Sequence, residues 1–169
     1  MLGSSSLIHA KGSAVNGSIA VEGNKKLRNV IIYLQPDNPG SHHPKSRTHK
    51  VSQKGRAFNP SLLVIADGDL VQWLNDEDKE IDHNIYSLSK IQTFDLGLGN
   101  KGSVLEKGFD SSGRLNYFCS VHKTMEGKLV VLPTRYYTVL KKPGNFILPD
   151  IPPGKWKLKA VVFHRRYKA

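Results

Sequence analysis

Short apolar runs, separated by glycine, proline and polar turns, make up most of the chain from residue 14 onward. They are rich in valine, isoleucine and aromatic residues, and no stretch sustains the 3.6-residue period of a helix. We therefore predict an all-β protein, a sandwich or barrel with regularly spaced turns. Strands are predicted over residues 15–21, 27–34, 62–66, 70–74, 84–88, 93–96, 103–105, 114–119, 128–132, 136–140, 145–148 and 155–163.

Three local patterns refine this arrangement. Asp67-Gly68-Asp69 lies between two apolar runs, which is a hairpin signal. In the last run, Trp156, Leu158 and Ala160 alternate with lysines, which predicts one dry and one wet face. Residues 62–65 and 129–132 are apolar at every position, so both faces of these strands should be covered. We expect the flanking strands, 14–34 and 136–163, to provide the cover.

Length and cysteine content narrow the classes of protein. The 169 residues suffice for one sizeable domain or two small ones with their own cores. A single cysteine excludes intramolecular disulfides and paired-cysteine metal sites. No apolar run is long enough to span a bilayer, and residues 1–8 lack the regions of a signal peptide, so an exported protein would be present here in processed or trimmed form.

The net charge and the remaining polar clusters do not predict a further functional site. The formal net charge is +11, but the 25 Lys and Arg are spread along the chain without a nucleic-acid motif, so we expect solvated surface charge and no nucleic-acid partner. His42, His43 and His49 have no neighbouring thiol or carboxylate, and we interpret them as solvated loop. Residues 75–80 lack the spacing of a calcium loop and are interpreted as a solvated turn leading into His83.

One stretch carries the components of a metal site. Cys119, His122 and Met125 place a thiolate, an imidazole and a thioether within seven residues, between two predicted strands. His83, 36 residues upstream of Cys119, is the best candidate for a further ligand. Two histidines, a cysteine and a weak axial methionine form the trigonal set that holds copper for electron transfer. Strand alternation places Leu115, Tyr117 and Cys119 on one face, so the thiolate should point inward.

Other interpretations of the same residues are weaker. A lone cysteine or methionine is most often a core residue, and a single histidine is most often structural, but core packing would not impose this joint spacing. A nucleophilic pair of Cys119 and His122 lacks a third orienting group. The four-ligand set leaves no open coordination position for a substrate, which argues against an enzyme.

The motif resembles a known family. His83-Asn84, followed by Cys119-x-x-His122-x-x-Met125-x-Gly127, is similar to the cupredoxins, or blue copper proteins, over about residues 50–133. The short gap before the methionine resembles amicyanin more than plastocyanin. Val121 and Thr124 stand where smaller cupredoxins often have proline and an aromatic residue. Residues 144–158 are similar to the closing hairpin of carboxypeptidase regulatory-like β-sandwiches, a combination found in bacterial methylamine-utilisation and plastocyanin-like proteins.

The resemblance implies an architecture. It is a cupredoxin Greek-key β-sandwich with a second small β-sandwich lobe formed by the N- and C-terminal flanks. Residues 1–11 would be a flexible tail, 12–48 the first part of the regulatory-like lobe and a loop, 49–133 the cupredoxin domain, and 134–169 the second part of the lobe.

The resemblance also implies a site and a function. One copper ion per chain, cycling between Cu(I) and Cu(II), would be held by His83, Cys119, His122 and Met125. Asn84 would hydrogen-bond toward Ser120 and tie the two ligand segments together. The expected function is electron transfer by a periplasmic or otherwise extracytoplasmic type 1 copper protein, with electrons passing through the His122 ring.

The sequence leaves the identity of the redox partner and two alternative functions open. The charge of +11 suggests an acidic redox partner, and a membrane surface is left open. Copper storage, delivery or sensing would use the same ligands. A structural β-sandwich with a vestigial copper site is the second alternative.

Overall fold

The computed structural model describes residues 12–21, 27–38 and 45–163, and every regular element in these ranges is a β-strand. The all-β class and the β-sandwich are confirmed. No helix in the described ranges could cross a membrane. The predicted tail, His42 and His43 lie outside the described residues. The strands are β1 (Ser13–Ser18), β2 (Val30–Pro36), β3 (Thr48–Gln53), β4 (Phe58–Asn59), β5 (Leu62–Ala66), β6 (Asp69–Leu74), β7 (His83–Ser87), β8 (Phe94–Gly99), β9 (Val104–Phe109), β10 (Gly113–Phe118), β11 (Glu126–Leu132), β12 (Tyr137–Leu140), β13 (Asn145–Ile151) and β14 (Trp156–Val161).

The described residues fall into two compact units. The terminal unit comprises those of Met1–Asn38 and Tyr136–Ala169, and the central unit comprises those of Pro39–Arg135. The central unit has a five-stranded sheet in the order β5-β11-β10-β7-β8 and a four-stranded sheet in the order β4-β3-β6-β9. The terminal unit has a three-stranded sheet, β12-β2-β14, and the pair β1-β13.

The turn between β5 and β6 joins two sheets. β5 pairs in parallel with β11, whereas β6 pairs with β3 and β9, so the predicted hairpin is wrong. The turn itself forms, with Gly68 at φ 80°. Two backbone hydrogen bonds explain why β5 and β6 separate into different sheets. The N–H of Asp67 donates to Leu132 O in one sheet, and the N–H of Gly68 donates to Phe109 O in the other, each with an N···O distance of 2.8 Å. A turn anchored to both sheets turns a corner of the sandwich instead of closing a ladder.

The core of the central unit is built on aromatic residues from both sheets. Trp73 of β6 lies edge-on to Tyr117 of β10 at a centroid distance of 5.5 Å, and Phe58 contacts the same tyrosine at 4.7 Å. Leu115, Tyr117 and Cys119 are buried in this one cluster, which confirms the predicted strand alternation.

The strands β5 and β11 are buried on both faces, as their apolar sequences predict. Ile65 and Leu129 belong to the aromatic core cluster. Val64 and Val130, which alternate with them, are only 8% and 1% exposed. The cover of this second face by the flanking strands stays a prediction.

The terminal unit has an apolar core of its own. Its buried members come from the segment before β2, from β2 and from β13. The last strand, β14, pairs only with β2 and forms an edge of its sheet. Leu158 is 52% exposed and Ala160 is also exposed, so the predicted dry face is wrong, because the apolar core of this unit reaches only Trp156 of the three side chains.

Candidate metal centre

Three predicted ligands converge at one end of the central unit. His83 begins β7, and Cys119 directly follows β10, which pairs with β7 through Phe118 and Tyr86. His122 lies in the loop that leads to β11. One ligand atom from each of His83, Cys119 and His122 lies within 4.8 Å of the other two. Residues far apart in sequence therefore meet because β7 and β10 are neighbours in the sheet.

The distances fit a shared metal ion. Cys119 Sγ lies 3.8 Å from His83 Nδ1 and 3.7 Å from His122 Nδ1. Metal bonds of about 2.3 Å to sulfur and 2.0 Å to nitrogen, opened to a trigonal angle, separate the two donor atoms by about 3.7 Å. The centroids of the His83 and His122 rings are 4.9 Å apart. The donor set, one soft sulfur and two nitrogens, suits an ion that changes between Cu(I) and Cu(II).

The loop between Cys119 and β11 is closed by its own backbone. The N–H of Met125 donates to His122 O over 2.9 Å, and the N–H of Cys119 donates to Met125 O over 3.2 Å. Met125 is 1% exposed and belongs to the same core cluster as Cys119. The two bonds hold the loop residues together, and the role of the thioether as a ligand stays a prediction.

Asn84 connects the ligand segments. Its backbone N–H points at Cys119 Sγ over 3.4 Å, and its Oδ1 accepts the N–H of Ser120 over 3.3 Å, which is the contact expected between Asn84 and Ser120. Its Nδ2 donates to Asp95 Oδ1 and Gly97 O at 2.7 and 3.1 Å. This N–H therefore reaches the sulfur atom that would bind a metal, and Asn84 connects both ligand segments through one residue.

Glu77 contacts a predicted ligand, and the sequence interpretation missed this residue. Its Oε1 lies 3.1 Å from His83 Nε2, and the two side chains are 7% and 0% exposed. The N–H of Arg56 donates to the same oxygen and is the main cause that lowers the pKa of Glu77, with the N–H of Gly55 and His83 adding to it against the effect of burial. A carboxylate at Nε2 requires the proton there, which leaves the Nδ1 lone pair of His83 facing Cys119.

The segment around Glu77 is fixed, so the predicted solvated turn is wrong there. Asn75 is 1% exposed, and its Nδ2 donates to Ile81 O and Gly99 O at 2.8 and 3.0 Å. Asp76 accepts the N–H of Gln53 over 3.0 Å. The contact between Glu77 and His83 was missed because a run of acidic residues in a turn normally indicates exposure to solvent. The only sequence signal was an acid six residues before a candidate ligand histidine.

His122 is the most accessible of the four predicted ligands. It is partly exposed, whereas His83, Cys119 and Met125 are at most 3% exposed. Burial lowers the pKa of His122, and the neighbouring side chains of His83 and Arg56 act in the same direction. A lowered pKa favours the neutral imidazole at neutral pH, which is the form that binds a metal.

A second buried polar cluster does not include the ligands. His49, predicted to be solvated, lies in β3, and its Nε2 is 2.8 Å from Oδ2 of Asp69, which is 1% exposed. Arg135 Nη2 donates to Asp69 Oδ1 over 2.8 Å, and so does the N–H of Arg47 over 2.9 Å. The interpretation of His49 as solvated loop is wrong, because the loop ends earlier and residues from 48 pair in parallel with β6.

Comparisons with known proteins place cupredoxins among the similar structures. No family model matches the chain. A purple cupredoxin from Nitrosopumilus maritimus is 28% identical over 48% of this chain and 97% of that one, with a TM-score of 0.44. A reduced amicyanin mutant is 18% identical over 59% and 97%, with a TM-score of 0.45. A copper-containing nitrite reductase from Thermus scotoductus SA-01 is 24% identical over 57% of this chain and 25% of that one, with a TM-score of 0.47.

Proposed function

We propose that the chain is a mononuclear type 1 copper protein that carries single electrons between redox partners and is not an enzyme. The observation that carries this proposal is the convergence of His83 Nδ1, Cys119 Sγ and His122 Nδ1, with separations that suit one trigonal ion. When bound, copper supplies the one-electron chemistry. The single cysteine limits the chain to one such centre.

The residues around the site have separate roles in this proposal. Cys119 would hold the copper through its sulfur, toward which the N–H of Asn84 points. Glu77 fixes the tautomer and orientation of His83. Met125, which is buried in the core beside Cys119, would supply its thioether as the fourth ligand. His122, the partly exposed ligand, is the point at which electrons enter and leave.

The wider setting is also part of the proposal. The terminal unit is a carboxypeptidase regulatory-like β-sandwich, and the protein works in the periplasm or another extracytoplasmic compartment. Its electron donor and acceptor are proteins that approach His122. Copper storage, delivery or sensing would use the same ligands but would require the ion to leave the site.

Titration of the purified full-length protein with Cu(II), followed by visible spectroscopy, tests the proposal. We expect an intense thiolate-to-copper charge-transfer band that saturates at one equivalent and disappears reversibly on reduction. Cys119→Ser should abolish the band because it removes the thiolate. Ser120→Ala is the matched control, because the exposed Ser120 contributes its backbone N–H and keeps it.

The outcomes separate the alternatives. A wild-type protein without the band contradicts the copper site. A band accompanied by transfer of copper to an acceptor, and by slow electron exchange, would favour storage or delivery. Metal content and function that are unchanged in Cys119→Ser would indicate a vestigial site.

A further inference from the structure

The positive charge of the chain is concentrated in the unit that lacks the proposed ligands. Residues 1–38 and 136–169, the terminal unit, have twelve Lys and Arg against three Asp and Glu, a net charge of +9. The central unit has thirteen against eleven, a net charge of +2, which completes the total of +11. The unit with the proposed ligands is therefore close to neutral, and most of the positive charge belongs to the terminal unit.

The topology of the terminal unit gathers basic residues at one end of its sheet. β12 and β14 both run antiparallel to β2, so both end where β2 begins, with Leu140 opposite Val30. The N–H of Asn29 donates to Lys141 O over 3.4 Å, which holds the segment before β2 against the one after β12. Arg28, Lys141 and Lys142 thus come together from two distant parts of the chain.

These three cations are free of acidic neighbours in the part of the chain that the structure describes. All three are exposed, and no carboxylate of a described residue pairs with them. At the opposite end of the same sheet, Lys157 is neutralised by Asp37 over 2.7 Å. Lys155 at that end is exposed as well, so the end with Arg28, Lys141 and Lys142 differs in having three cations and no ion pair among the described residues.

Exposed aliphatic side chains lie on the two strands, β12 and β13, that the turn with Lys141 and Lys142 connects. Val139, two residues before Lys141, is 41% exposed, and Ile147, five residues after Lys142, is 63% exposed. A turn with unpaired cations between two strands that carry exposed aliphatic side chains suits the interface of an anionic membrane, since the cations meet the headgroups and the aliphatic groups leave water.

We propose that this surface, the basic edge formed by Arg28, Lys141 and Lys142 with Val139 and Ile147, docks on an anionic phospholipid membrane. An electron-transfer partner has to approach the exposed ligand His122, which belongs to the central unit with its charge of only +2. A surface that docks on a membrane does not have to include or approach His122. The inference is independent of the proposed copper chemistry and is testable on the metal-free protein.

Cosedimentation of the full-length protein with lipid vesicles tests the docking. Vesicles of phosphatidylcholine with roughly one-third phosphatidylglycerol are compared with phosphatidylcholine alone, at about 0.1 M salt. The combined Arg28→Glu, Lys141→Glu and Lys142→Glu variant should bind the anionic vesicles at least about a hundredfold more weakly than wild type. The matched control, Lys50→Glu, Lys79→Glu and Lys90→Glu, changes three exposed lysines of the central unit and the net charge equally, and should retain most of the binding.

Two further measurements sharpen the result. Ile147→Ser leaves the charge unchanged and should weaken binding severalfold, because an exposed aliphatic anchor is lost. Equal loss in both charge variants would show unspecific attraction and overturn the proposal. Absence of vesicle binding, or equally tight binding to soluble polyglutamate with no effect of Ile147→Ser, would also overturn it and indicate an acidic protein partner. Thermal melting of each variant confirms that it is folded.

Discussion

The two units differ in what they bury. The buried polar and charged side chains of the described residues all belong to the central unit, and they are Gln53, Asp69, Asn75, Glu77, His83, Asn84, Ser87 and Thr134. The core cluster of the terminal unit consists of aliphatic and aromatic residues. The terminal unit, in turn, carries +9 of the net charge of +11.

The apolar core of the terminal unit contributes to stability, whereas several buried polar groups of the central unit surround the proposed site. An apolar core needs no hydrogen-bond partners, so the terminal unit keeps its charges at the surface. A buried polar group costs free energy unless it is paired, and such groups persist where they serve a site or lock a geometry. In the central unit, Glu77, His83 and Asn84 surround the proposed metal site, while Asp69 joins β3, β6 and the end of the unit at Arg135.

Neutralising Asp69 should have the largest effect on stability. Asp69→Asn removes the charge that pairs with Arg135, which is itself 11% exposed, and leaves a mostly buried guanidinium without a counterion. We expect a loss of about 3 kcal/mol in the free energy of unfolding, measured with urea at neutral pH. Asp78→Asn, whose side chain is 80% exposed, is the control and should change little. If Asp69→Asn had the same free energy of unfolding as wild type, the buried polar pairs would not distinguish the stability of the central unit from that of the terminal unit.

The pH dependence of the same variant provides a second check. Burial acts to raise the pKa of Asp69, but hydrogen bonds from Arg47, His49 and Arg135 outweigh it, and the pKa lies below its usual value of 3.8. A lowered folded-state pKa stabilises the fold above the unfolded value, and this contribution disappears as the pH falls through the folded value. The difference between wild type and Asp69→Asn should therefore be constant near neutral pH and shrink below about pH 4.

Glu77→Gln should weaken copper binding by about 10- to 100-fold. The amide still accepts a hydrogen bond from His83 Nε2 but lacks the negative charge that polarises the ring and balances the bound cation. Competition with a chelator of known affinity measures the change. Glu80→Gln, at an 85% exposed side chain, is the matched control in the same acidic run. Equal affinities of the two variants would place Glu77 in a purely structural role.

Gly127→Ala should have the smallest of these effects. Gly127 of β11 lies opposite Tyr117 of β10, and an added Cβ would overlap the ring of that buried tyrosine. We expect a destabilisation of about 1.5 kcal/mol in urea unfolding, because the core must shift to admit the methyl group. Gly144→Ala in the terminal unit has open space around the new Cβ and should fall within about 0.5 kcal/mol of wild type. Similar costs for the two changes would contradict this difference in packing.

The sequence by itself determined the all-β class, the inward direction of Cys119 and the ligand spacing from Cys119 to Met125. Each of these depends on residues close together in the chain, where a two-residue alternation or a short loop leaves few conformations. The proposed loop ligands fall in one segment, so their proximity needed no knowledge of the rest of the fold.

Only the tertiary structure decided the features that depend on distant partners. The sequence could not show that β5 and β6 separate into different sheets, because the N–H groups of their turn find carbonyls on β11 and β9. Nor could it show that Glu77 is buried against His83, or that Leu158 is exposed on an edge strand. The physical reason is the same in each case. Local patterns state which face or turn a residue prefers, whereas burial and pairing are settled by competition among segments that only the folded chain brings together.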